Sequence, residues 1–188
     1  MKNIILRLFH FRWTVPVIAE LYTLEGAKIV TLAVRLGISR SVLSSTLKYL
    51  IGNGFVAPNP GYGHPLRPEY ILTASGQKAA VFCQELAGCT RDLGEKQLLR
   101  SKWALPVFFA VGEGEVRFSD LKTRLAPITA RALSEELKKL TAAGYVSRNV
   151  IIDYPLATIY ALTPKARRYV EIYKRHRKEL QSLFDSRR

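Results

Sequence analysis

The chain is short of several things. Of its 188 residues only two are cysteine (Cys83 and Cys89), one is methionine and three are histidine (His10, His64 and His176). Two cysteines build no disulfide scaffold, and such sparse use fits a reducing compartment. The histidines are scattered and no Cys/His set has ligand spacing, so no zinc site is expected. Acidic side chains are scarce as well: 15 Asp and Glu stand against 29 Lys and Arg, a formal net charge of +14. Long apolar runs are missing. The longest, Ala104 to Val111, falls far below the ~20 residues that a membrane span requires. Arg7 and Arg12 interrupt the stretch from Met1 to Trp13 and no small-residue cleavage site follows, so it does not read as a secretory leader.

What remains is a basic chain with enough apolar residues, 48%, to bury a core rather than stay disordered. Its length suits one medium domain or two small ones. The cationic excess points to a polyanion as partner, nucleic acid first and an acidic membrane surface second.

A shift of 90 residues lays the chain on itself without gaps from Trp13 to Thr73. Trp13 meets Trp103, Pro16 meets Pro106, Val17 meets Val107 and Ile38 meets Ile128. Leu43, Ser44, Leu47, Lys48 and Leu50 meet Leu133, Ser134, Leu137, Lys138 and Leu140. Gly54, Val56, Pro65, Leu66, Tyr70, Leu72 and Thr73 meet Gly144, Val146, Pro155, Leu156, Tyr160, Leu162 and Thr163. The match amounts to 18 identities in 61 positions. It falls on Gly, Pro, Trp and spaced Leu, the residues that fix a fold. The chain therefore reads as two copies of one domain, 1–89 and 90–188, divided near Gly88 to Lys96.

Local signals give each copy the same elements. Val15 to Tyr22 is a helical run with Pro16 in its first turn. Thr31 to Leu36 is a short helix stopped by Gly37, and Ser39 caps a helix with Leu43, Leu47 and Leu50 on one face. In the second copy Ser119 is expected to cap Asp120 to Leu125, and Thr129 the helix through Leu140. A hairpin follows each time, Phe55 to Leu72 and Tyr145 to Leu162, with Gly and Pro at its tip. Thr73 and Thr163 then cap a final helix. The predicted fold is mainly α with small β-hairpins (α+β): two tandem winged helix-turn-helix domains. In the last helix Tyr169, Ile172, Tyr173, His176, Leu180, Leu183 and Phe184 make an apolar stripe, expected to pack on Ile4, Ile5, Leu8 and Phe9.

The second copy carries Lys102, Trp103, Arg117, Phe118 and Leu121, then Ile128, Thr129, Arg131, Leu133, Leu137, Leu140, Gly144 and Val146, and at its end Tyr160, Leu162 and Thr163. The first keeps Trp13, Thr14, Gly37, Ile38, Ser39, Leu43, Leu47, Leu50, Gly54 and Val56, then Tyr70, Leu72, Thr73 and Gly76. In this order the residues resemble the HxlR family of winged-helix transcription regulators, relatives of the MarR group. Members are usually homodimers with one winged helix per subunit, so the resemblance implies a covalent pseudo-dimer here. Two recognition helices can then enter successive major grooves about 34 Å apart. The copies differ, which favours an asymmetric site. Some relatives sense oxidants or aldehydes through a cysteine shortly before the Trp. Cys89 stands 14 residues ahead of Trp103, and such a role requires an exposed thiolate.

The candidate DNA-binding residues follow from the reading helices and wings. On the first helix Ser39, Arg40, Ser41, Ser44, Ser45 and Lys48 face outward if Leu43 and Leu47 face in; short hydroxyls allow close approach, and Arg40 could reach a guanine. The second helix offers Thr129, Arg131, Ser134, Glu135 and Lys138. There Glu135 and Glu136 either accept from cytosine or pair with Lys138 and Lys139. The first wing offers Tyr62, His64 and Arg67 for a minor groove, and the second has Arg148 at its base. The charge divides as +5 over residues 1–89, +3 over 90–160 and +6 over 161–188. Trp13 and Trp103 are expected in the core.

The expectation is a DNA-binding transcription regulator acting on double-stranded DNA at the nucleoid of a prokaryotic cytoplasm. It takes no cofactor, uses no membrane and works as a monomer with internal pairing, further self-association remaining open. The alternatives are a protein-interaction adaptor in transcription or chromosome machinery and a nonspecific DNA-coating protein. No paired carboxylates, nucleophile–base set or phosphate-binding loop suggests an enzyme.

Overall fold

The computed structural model describes residues 4–61, 68–112, 114–151 and 157–185. The first unit runs α1 (Ile4–Leu8), α2 (Thr14–Leu24), β1 (Ala27–Lys28), α3 (Ile29–Leu36), α4 (Arg40–Gly52), β2 (Val56–Pro58), β3 (Glu69–Leu72) and α5 (Ala74–Asp92). The second runs α6 (Gln97–Arg100), α7 (Ala104–Val111), β4 (Val116–Arg117), α8 (Phe118–Arg124), α9 (Ala130–Ala142), β5 (Val146–Ile151), β6 (Ala157–Leu162) and α10 (Pro164–Asp185). Each unit has a three-stranded antiparallel sheet, β1-β3-β2 and β4-β6-β5. The fold is α+β, a tandem pair of winged helix-turn-helix units. α5 continues through residue 89 and ends only at Asp92.

The same chemistry sets the same boundaries twice. Ser39 accepts a hydrogen bond from the Val42 N–H and Thr129 from that of Ala132, so both reading helices begin at a side-chain cap. Gly54 (φ 66°) and Gly144 (φ 73°) turn the chain out of those helices in the left-handed region. The Thr73 hydroxyl donates to the Gly54 carbonyl at 2.6 Å, and the Thr163 hydroxyl to that of Gly144 at 2.7 Å. These bonds tie the end of each wing to the turn after its reading helix. Gly76 is a packing requirement: a Cβ there would lie 2.0 Å from the Phe55 carbonyl oxygen.

Two expectations fail in detail. The gapless repeat does not hold between α2 and α4. Ala27 pairs with Tyr70 and Val116 with Tyr160, so the strands before the reading motif are related by 89 residues while their partners are related by 90. Leu32, Arg35 and Leu36 therefore correspond to Leu121, Arg124 and Leu125. α2 is longer than α7, and the register returns where Leu125-Ala126-Pro127-Ile128 replaces Leu36-Gly37-Ile38. The second failure is Ser119. It sits inside α8, whose N-cap position is Arg117.

The core is continuous across both units. α5 packs along α10 and α7 along α10. Phe82 of α5 lies edge-on to Phe109 at 6.1 Å and to Tyr173 at 6.5 Å, while Phe109 stacks on Tyr173 at 4.6 Å. Glu85 of α5 holds both Arg175 and His176 of α10. The leading helices are exchanged: α1 lies against α10, and Ile5 and Leu6 close onto Pro106 and Phe109 of the second unit. Conversely, Leu99 and Arg100 of α6 lie beside Trp13 and Pro16 of the first. The expected stripe is real from Tyr169 to Leu183, and it does meet Ile4, Ile5, Leu8 and Phe9 within this shared core. Phe184's side chain lies outside the description.

Candidate nucleic-acid interface

In each unit the helix pair α3–α4 or α8–α9 precedes the wing and sets its buried leucines into the common core. α4 buries Leu43, Thr46, Leu47 and Leu50. This leaves Ser39, Arg40, Ser41, Ser44, Ser45 and Lys48 exposed, as the spacing predicted. Ser39 and Ser41 share a hydrogen bond at 3.0 Å, and Ser45 donates to the Ser41 carbonyl. Arg40 and Lys48 form no ion pair among the described residues, and α4 contains no carboxylate. The face is thus two unneutralised cations on a bed of hydroxyls. Such a surface can approach a phosphate backbone closely and still donate to base edges.

α9 buries Leu133, Leu137 and Leu140 and exposes Thr129, Arg131, Ser134, Glu135 and Lys138. Here the expected pairing is replaced by another. Glu135 accepts from Arg131 at 3.0 Å, one turn earlier, rather than from Lys138 or Lys139. Glu136 is half-buried and accepts from the Ser101 hydroxyl at 2.6 Å. That same hydroxyl takes the N–H groups of Trp103 and Ala104, so Glu136 helps hold the start of α7. The outer face of α9 therefore keeps Lys138 and Lys139 as its unneutralised cations.

Arg148 is exposed on β5, opposite Tyr160 of β6. Tyr62, His64 and Arg67 lie outside the described residues. The base of their wing is fixed by Asn59, which donates to the Glu69 carboxylate at 2.6 Å. The two tryptophans are not deep core. Both are half-buried, Trp13 beneath the guanidinium groups of Arg12 and Arg100, and Trp103 beneath Lys102. Cys89 is half-buried, and burial pushes its thiol up from its ordinary value despite Arg168 nearby. Cys83 is fully buried and pushed up further. Neither thiol has the character of a ready nucleophile.

Sequence reading missed the contribution of Glu95. This residue follows the left-handed Gly94 in the segment joining the units. It accepts from the Tyr169 hydroxyl and lies 3.6 Å from Lys165 of α10. Burial would raise its carboxyl pKa, but bonds from Tyr169, Tyr145 and Lys165 outweigh that and hold it below its ordinary value. A lone Glu in a linker carries no periodic signal, so only its partners reveal it. No helix among the described residues is long and apolar enough to cross a membrane.

Several known proteins are similar to parts of this chain. The HTH-type transcriptional regulator YvaP of Bacillus subtilis (strain 168) is 34% identical over 79 residues, 42% of this chain and 73% of that protein. An HTH-type transcriptional regulator of Methanothermobacter thermautotrophicus is 32% identical over 91 residues, 43% of this chain and 70% of that one. Among solved structures, a MarR-family transcriptional regulator of Porphyromonas gingivalis aligns with a TM-score of 0.43 at 25% identity, covering 46% of this chain and 85% of that one. The reduced form of YodB from B. subtilis aligns with a TM-score of 0.39 at 25% identity, covering 53% and 93%. Each relative thus spans about one unit of this chain. Matching it over residues 8–97 and again over 98–183, the chain belongs to the HxlR-like helix-turn-helix family.

Proposed function

We propose that this HxlR-type transcription regulator binds double-stranded DNA as a single-chain pseudo-dimer. α4 and α9 enter successive major grooves and the two wings lie in the flanking minor grooves. The observation that carries this reading is the exchange of α1 and α6 across a common core of α5, α7 and α10. Such an exchange between two like units is what internal pairing through the segment at Gly94 would require. The units 1–89 and 90–188 each supply one reading helix. Arg40, Ser41, Ser44, Ser45 and Lys48, with Ser39 at the cap, are the main readers. Thr129, Arg131, Ser134, Glu135 and Lys138 make a second and more neutral contact. Arg148, and Tyr62, His64 and Arg67 at the first wing, reach the flanking backbone or minor groove. The relatives are bacterial and archaeal, which supports action at a prokaryotic nucleoid.

The test is selection of bound sequences from random duplexes, followed by affinity against salt and by light scattering of the complex. The expected result is an enriched motif with unequal halves and one chain per duplex. Arg40→Ala and Lys48→Ala each weaken binding without unfolding, and each lowers the salt slope by about one. Two chains per site would refute internal pairing. A steep salt slope without an enriched motif would instead mean DNA coating. No binding even at low salt would leave the adaptor reading.

A further inference from the structure

We infer that a cavity in the first unit binds a small aromatic anion, and that the corresponding site of the second unit has been filled. The cavity measures about 430 Å³ and opens between α2, α3, α5 and the exchanged α6. That volume lies within the range of small-molecule sites. Trp13, Pro16, Leu36 and Leu99 give it apolar walls, and Arg91, Lys96 and Arg100 line the rest. These three cations form no ion pair among the described residues. Arg35 also lines it, already paired with Glu20. The walls therefore carry four cations against one carboxylate. Trp13 Nε1 is buried with no acceptor, and the Arg100 guanidinium lies 5.5 Å from the Trp13 ring centre.

The repeat supplies an internal control. Pro16, Ala19, Arg35 and Leu36 correspond to Pro106, Phe109, Arg124 and Leu125. Those second-unit residues line a remnant of about 10 Å³, closed by Ile5 and Leu6 of α1. The Phe109 ring stands where the first unit has the Ala19 methyl, stacked on Tyr173 and edge-on to Phe9. Arg124 donates to the Ala110 carbonyl at 2.7 Å, at the position where Glu20 holds Arg35. The same fold thus closes this site when the side chains are apolar and large. In the first unit it is open and lined by surplus positive charge. The four cations are exposed, so they stand at the mouth of an open site, where their like charges repel through solvent. An anion removes that repulsion, and a flat ring stacks on indole and guanidinium planes alike.

An occupant would touch α3, the first helix of the reading motif, and α6 from the other unit. Its effect on DNA affinity rests on the function proposed above; its binding does not. The test uses the full chain, 2-naphthoate as probe and 2-naphthamide as its uncharged isostere, with calorimetry and the two tryptophan indole N–H resonances as readouts. The Trp103 resonance is identified in Trp103→Phe. The expected result is a saturable shift of the Trp13 resonance by naphthoate, with Trp103 unmoved and the amide bound at least about tenfold more weakly. Lys96→Gln with Arg91→Gln, both exposed, weakens naphthoate by about tenfold or more. Ala19→Phe, which copies the second unit, abolishes binding. Should that variant fail to fold by circular dichroism, the Lys96 and Arg91 pair carries the test. No saturable shift at millimolar probe, equal affinity for the amide, or binding unchanged in the folded variants would each overturn the site. These titrations contain no DNA, so a failure of DNA binding overturns the previous proposal and leaves this one standing.

Discussion

Phe82 is the residue on which the two units most directly depend. It lies in the middle of α5 with no exposed surface. Its ring neighbours are Phe109 at 6.1 Å, Tyr173 at 6.5 Å and His176 at 6.0 Å, all from the second unit. Phe82→Ala removes the buried ring and leaves a cavity, a loss of about 3–5 kcal/mol for such a site. For a chain of this size each kcal/mol lowers the melting temperature by roughly 2–4 °C, so the expected drop is roughly 6–20 °C. The assay is thermal unfolding followed by fluorescence in two backgrounds, Trp103→Phe and Trp13→Phe, so that Trp13 reports the first unit and Trp103 the second. In both backgrounds the parent should melt in one coincident transition, and Phe82→Ala should lower both by the same amount. Val81→Ala, at an exposed neighbour, should change stability by no more than about 0.5 kcal/mol. If Phe82→Ala moves the Trp13 transition and leaves that of Trp103 in place, the units fold independently and the shared core is not a thermodynamic unit.

Glu135→Gln should free Arg131 and tighten DNA binding with a steeper salt dependence. The pair is exposed, so fold stability should move by less than about 1 kcal/mol; weaker binding with a changed motif would show instead that Glu135 reads a base. Glu95 makes a pH-dependent contribution. Its folded pKa is depressed, so its stabilisation is complete above the unfolded carboxyl value and is lost as pH falls through the folded one. Urea unfolding should separate the parent from Glu95→Gln by about 1–2 kcal/mol at pH 7, with the gap closing in acid. A gap of equal size at both pH values would mean that shape, not charge, matters there.

Much of this architecture could be read from the sequence because it rests on local chemistry. Ser39 and Thr129 cap, Gly54 and Gly144 turn, and the leucines at i, i+4 and i+7 bury, all within a few residues of chain. The short strands β1 and β4 escaped notice because two residues carry no period, and their partners lie some 40 residues away. The shift of register between α2 and α4 was hidden for a related reason. From Gly26 to Gly37 no identity occurs at a spacing of 90, whereas Leu32, Arg35 and Leu36 find identical partners at 89. The exposed faces of α4 and α9 were foreseen correctly, but the partners of Glu135 and Glu136 were not. Helical spacing makes Arg131 and Lys139 equally available to Glu135, and tertiary contact with Ser101 turns the half-buried Glu136 away from the lysines. The first cavity left no signal at all, since its walls come from three helices of one unit and α6 of the other.

Covalent linkage changes what substitution can do in such a fold. In a symmetric homodimer each mutation occurs twice, so a phenylalanine that filled one interdomain cavity would fill both. A carboxylate that neutralised one reading helix would likewise neutralise both. In this chain the two events are separate. Phe109 fills its own unit and its ring joins the common core through Tyr173 and Phe9. Ala19 leaves the other cavity open, with Arg91, Lys96 and Arg100 around it. The same division holds on the DNA side. α4 keeps Arg40 and Lys48 unneutralised, while α9 ties Arg131 to Glu135. The helix without carboxylates and the open cavity therefore belong to one unit and meet at α3. The second unit contributes the long helix α10 and the filled site, both of which strengthen the shared core. Under the two proposals above, this asymmetry assigns ligand response and sequence reading to the first unit and register on the duplex to the second.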